Sequence, residues 1–126
     1  MKLLLRRDQR NALIGSKPVF VLEARAQLSQ SEVDSIKKYK LGDALLYEKK
    51  PLQQGSNEYA QLGHALAWKF ANLTITVNDL ANGRKVECKD ILEMLGVEEQ
   101  LKQAAQTFKA VLDACTGFGG EEVIEI

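Results

Sequence analysis

The stretch GHALAWKF, residues 63–70, contains the chain's single histidine and single tryptophan, His64 and Trp68, four positions apart. On a helix that spacing puts both side chains on one side. Histidine is the usual base for a serine or cysteine nucleophile, so His64 is the one candidate catalytic residue. Neither cysteine, Cys88 or Cys115, is near it in sequence, and they form no Cys-x-x-Cys pair. A zinc site needs about four nitrogen or sulfur ligands, which this chain does not supply; no metal and no cofactor is expected. The acidic pairs are no better placed for acid–base work. Glu98 and Glu99 are neighbours on an expected helix and point about 100° apart, while Glu121 and Glu122 in an expected strand point to opposite faces. The glycines form neither a dinucleotide-binding fingerprint nor a P-loop, so phosphate cradling has no support. An enzyme reading therefore rests on long-range geometry bringing other groups to His64.

The elements that would hold these residues follow from periodicity. Residues 2–7 form a short strand and 18–28 a longer one, in which Phe20, Leu22, Ala24, Ala26 and Leu28 share a face; a hairpin over Asn11 to Lys17 joins them. Ser29 and Glu32 make an S-x-x-E capping box and open the first helix, with Val33 and Ile36 inward and Gly42 available for a left-handed cap. Residues 44–49 form a strand. The loop 49–57, with a proline, a glycine and polar amides, suits a connector, or a lid or binding loop. A helix over about 57–71 carries His64 and Trp68.

Asn82-Gly83 supplies the residues of a type I′ turn, predicting a hairpin across 73–90 that puts Leu73, Ile75, Val77, Val86 and Cys88 on one face. Cys88 is then a packed core thiol. Asp90 and Glu93 repeat the capping pattern and start a helix to about 116, with a break or bend at Gly96. Val97, Leu101, Ala104, Phe108, Val111 and Cys115 give it an apolar stripe suited to packing on the sheet, with Glu98 and Lys102 as an i,i+4 pair outside. Glycines at 117–120 turn the chain into a last strand, 121–126. The order ββαβαββαβ predicts one α+β domain over residues 1–126, with a mainly antiparallel sheet of about five or six strands and about three helices.

On the helical wheel at about 100° per residue, Leu62, Leu66, Tyr59 and Phe70 make one apolar stripe. His64 and Trp68 lie on the far side, and Ala60, Ala65, Ala67 and Ala71 fill the gaps. A helix apolar on most of its circumference covers a second surface. The pair thus marks a second face, and Trp68, His64, Ala65 and Ala71 are the candidate interface residues, since tryptophan anchors interfaces.

Composition sets the bounds. The 126 residues, 45% hydrophobic and 27% charged, suit a globular domain able to bury its own core. The longest apolar runs fall far short of the ~20 residues of a membrane helix, and Arg6 and Arg7 cut off the only run resembling a signal peptide. A cytoplasmic protein with reduced thiols is expected. Net charge is zero but divided: residues 1–25 have six basic and two acidic groups, and residues 90–126 have two basic and eight acidic. The basic end is read as a partner for the acidic end, within one molecule or across a dimer. Only that cluster could supply phosphate contacts, so nucleic acid is disfavoured. The sequence favours a small non-enzymatic domain whose partner is another protein or itself, using the Trp68 face. The alternative is a small-molecule-binding domain or enzyme with a pocket near His64 and the 49–57 loop.

Overall fold

The computed structural model of the chain describes residues 1–11, 18–49, 73–121 and 123–126. Over these residues the architecture is α+β, with three helices and five strands in two antiparallel sheets. Strands β1 (Lys2–Asn11) and β2 (Pro18–Gln27) pair antiparallel along their whole lengths, Leu3 opposite Ala26 and Leu5 opposite Ala24. Alternation along β2 puts Leu22, Ala24 and Ala26 in the core, with Phe20 and Leu28 packed at its border.

Helix α1 (Gln30–Lys38) begins at the expected capping box, with the Ser29 hydroxyl accepting from the Glu32 N–H and the Glu32 carboxylate from the Ser29 N–H. Ile36 is buried and Val33 half-buried. The left-handed residue after this helix is Lys40 (φ 55°), not Gly42. Gly42 has a different use: a Cβ there would clash with the Asn78 side chain, and its carbonyl accepts the Asn78 N–H at 2.9 Å.

Strand β3 (Leu45–Lys49) pairs with β4 (Leu73–Thr76), with a register shift between Leu45 and Tyr47. Beyond β4 the expected hairpin is replaced. Residues Val77–Asn82 form helix α2, and β5 (Arg84–Cys88) pairs with β2 rather than β4, Leu22 opposite Val86. Two causes combine. Thr76 and Asp79 form a capping box, the hydroxyl accepting from the Asp79 N–H and the carboxylate from the Thr76 N–H. Val77 and Leu80, three apart, both enter the core from one helical face; in a strand that odd spacing would send them to opposite faces. Gly83 still has a positive φ (87°), but it leads the chain from one sheet to the other instead of closing a turn.

Helix α3 (Ile91–Thr116) starts at Asp90 and runs without interruption through Gly96, so the expected break is absent. Its buried face is Met94, Val97, Glu98, Leu101, Ala105, Phe108 and Leu112. The expected stripe was therefore rotated: Val111 is exposed, and Ala104 and Cys115 are only half-buried. The large apolar side chains on this face each contribute about 1.5–3 kcal/mol by leaving water, which outweighs the weak helix preference of Gly96. The last strand does not form. After a turn with Gly119 at φ 86°, residues 123–126 have exposed side chains and pair with no strand among the described residues. No helix among the described residues is long and apolar enough to cross a membrane.

Candidate functional site

His64, Ala65, Trp68 and Ala71, the helix that would hold them and residues 50–57 lie outside the described residues. Lys49, first residue of the expected loop, ends β3 and is described. Around it the fold gathers several titratable groups. The Lys49 ammonium bonds the Glu93 carboxylate at 2.8 Å, across from the first turn of α3. The other Glu93 oxygen accepts the Lys89 N–H at 2.9 Å, and the Glu93 N–H donates to Asp90 at 2.8 Å. The capping arrangement that starts α3 thus also holds the carboxylate facing Lys49.

Tyr47 and Cys88 complete this group. Burial, then the field of Glu93, pushes the Cys88 thiol up to about 11, with Lys49 opposing. The Tyr47 hydroxyl is raised mainly by burial, with the same opposition. A thiol so placed is protonated at neutral pH and a poor nucleophile. Cys88 is the packed core thiol the alternation predicts, within 3.9 Å of the Val86 carbonyl. Among the described residues no group of three metal-ligating side chains is close enough to hold an ion.

A groove of about 350 Å³ lies between α1 and the end of α3, lined by Ser31, Asp34, Ser35, Lys38, Tyr39 and Cys115. Tyr39, one of its lining residues, packs against Phe118, ring centroids 5.3 Å apart and tilted by 58°. The Lys38 ammonium lies 5.4 Å from the Tyr39 ring centre, within cation–π range.

The charged ends of the chain meet within one molecule. The Arg7 guanidinium grips Glu98 with two hydrogen bonds, 2.5 and 2.7 Å, from β1 onto α3. Glu98 is only 2% exposed and is not the outward partner of Lys102 that the i,i+4 spacing suggested. Hydrogen bonding from Arg7 holds its carboxyl below the usual range, against burial, which acts the other way. Sequence reasoning missed this pair, yet a signal existed. Glu98 falls between Met94 and Leu101 on the four-three spacing that continues to Ala105, Phe108 and Leu112. Arg10 is bonded to Glu87 and Arg6 to Asp8 on the exposed side.

Two groups of exposed apolar side chains lie among the described residues. On the outward side of α3, Ile91, Leu92 and Leu95 are 53, 81 and 42% exposed. Their spacing makes them one patch on the first turns. The second surface is the tail, where Val123 and Ile124 are 84 and 74% exposed and Ile126 is wholly so. Comparison with protein-family models, curated proteins and solved structures finds no match for this chain.

Proposed function

We propose that the chain is a non-enzymatic protein-interaction domain whose partner is a second copy of itself. The observation that carries this reading is the bare patch Ile91–Leu92–Leu95 on the outward face of α3. Isolated exposed leucines are ordinary, but adjacent ones at helical spacing on a rigid element suit a partner surface. The Trp68 face, with His64, Ala65 and Ala71, is the sequence's own candidate for a second part of that interface. Two unpaired thiols fit a cytoplasmic setting.

Sedimentation equilibrium of the full chain, from micromolar to millimolar, tests the reading. A dimer is expected, with Leu92→Glu weakening it at least tenfold while the far-ultraviolet spectrum is unchanged. A chain that stays monomeric throughout overturns the proposal. Trp68 fluorescence, followed over the same range, reports whether its face is covered as the dimer forms.

The Lys49–Glu93 pair, beside Tyr47 and Cys88 where the chain enters residues 50–72, favours one second reading. It is a small-molecule pocket, or active site, formed by that rim, His64 and the 49–57 loop. A small molecule retained in native mass spectrometry, and lost with His64→Ala, is its expected sign.

A further inference from the structure

The order β1-β2-β5 makes β1 an outer strand, and among the described residues no strand pairs with its second edge. An open edge is a row of N–H and C=O groups ready to accept another strand, and proteins commonly guard it with charge. Here the guard has one sign along the N-terminal half. Lys2, Leu4 and Arg6 alternate on the exposed face, while Met1, Leu3 and Leu5 pack toward the core. Such an edge repels basic strands and receives an acidic one.

The same chain presents a segment of matching character. Residues 121–126, EEVIEI, are acidic and rich in β-branched residues that suit a strand. Where described, their apolar side chains are bare. We infer that residues 121–126 of one copy add to β1 of a second copy as an antiparallel strand, and that the second copy returns the same contact. This rests on the self-association proposed above and names how it is made.

One register matches both charges on the exposed face and two of the three positions on the core face. Glu125 falls opposite Lys2, Val123 opposite Leu4 and Glu121 opposite Arg6 on the exposed face. Ile124 falls opposite Leu3 and Ile126 opposite Met1 on the core face, where Glu122 would stand opposite Leu5 and diagonal to Arg7. Arg6 already bonds Asp8 along its own strand at 3.2 Å, in an exposed geometry that leaves it room for a second carboxylate. Main-chain hydrogen bonds would supply adhesion, and the alternation would fix register. A slip by one residue would set Glu125 against Met1 or Leu3 and an isoleucine against Lys2. The exchange is reciprocal, so it closes as a two-fold dimer.

The test uses two full-length variants with opposite charge changes, Lys2→Glu/Arg6→Glu and Glu121→Lys/Glu125→Lys. Each alone sets like charges against each other in both halves of its homodimer, so each is expected to weaken self-association at least tenfold by sedimentation equilibrium. An equimolar mixture restores opposite charges in both halves, and a heterodimer of wild-type strength is expected. Restoration also shows that both variants are folded. Ile124→Asp is expected to weaken the wild-type dimer with no such rescue. A mixture that associates no better than its components overturns the inference, as does undiminished dimerisation of either variant. A monomer whose residues 121–126 resist proteolysis also overturns it, since the tail then occupies its own β1. If the wild type dimerises and Leu92→Glu abolishes this while the charge variants have no effect, only the strand exchange falls. A wild type that is monomeric throughout removes the self-association reading as well.

Discussion

Thr76→Val separates the observed α2 from the hairpin that Asn82-Gly83 suggests. The substitution keeps the branched shape of the side chain and removes one acceptor, the hydroxyl that takes the Asp79 N–H at 3.3 Å. In the structure this deletes the N-cap of α2, and losing a threonine cap costs about 1 kcal/mol, within about 0.5–2. In a hairpin residue 76 would be a mid-strand position, where valine is at least as good as threonine, so the change would be neutral or stabilising. The two folds thus predict effects of opposite sign. For a chain of this size about 1 kcal/mol corresponds to roughly 3–5 °C in Tm. Urea unfolding followed by far-ultraviolet circular dichroism is the assay, read as a midpoint shift at constant slope. Asp79→Ala provides the internal check. It removes the acceptor of the Thr76 N–H at 2.9 Å, and because the two bonds form one box the double variant is expected to lose less than the sum of the singles. A Thr76→Val midpoint equal to or above that of the wild type would refute the helix and the reasoning that places Val77 and Leu80 together in the core.

Two further outcomes follow from the ionisable groups. Because the Glu98 carboxyl is held low by Arg7, the stability it contributes is present above its unfolded value, about 4.3. That stability is lost as pH falls through the lower folded value. Glu98→Gln is therefore expected to flatten the fall in unfolding free energy below about pH 5, and an unchanged slope would dissociate Glu98 from acid stability. With the Cys88 thiol up to about 11, only about a thousandth is thiolate at pH 8. Iodoacetamide should modify Cys115 first, as peptide mass spectrometry would show, and reach Cys88 only on unfolding; equal rates in the folded chain would count against the buried placement.

Much of the fold was legible where local chemistry and global packing agree. The Ser29–Glu32 box, the Asp90 cap, the alternation of β2 and the burial of Cys88 follow from side chains acting on their own or adjacent turns. The errors came where one local signal competed with another. Asn82-Gly83 is a strong turn dipeptide, but Thr76 and Asp79 also cap a helix, and only β2 as an available partner for β5 decides between them. The apolar stripe of α3 was read with Ala104, Val111 and Cys115 in place of Met94, Ala105 and Leu112, because a charged residue at 98 was assigned outward by type. The interface candidates His64, Ala65, Trp68 and Ala71 lie outside the described residues, and their role rests on the helical wheel alone.

By itself the sequence determined the class of object: an α+β chain with capped helices, alternating strands, a packed thiol at Cys88 and a division of charge between its ends. Those properties depend on residues close in sequence, whose preferences are set by sterics and hydrogen bonding within a turn or two. The tertiary structure decided which strand pairs with which, that Glu98 goes inward because Arg7 reaches it, and that residues 123–126 pair with no strand among the described residues. Each of these depends on a partner distant in sequence, and whether a backbone edge or a charged group finds its partner is a property of the assembled molecule.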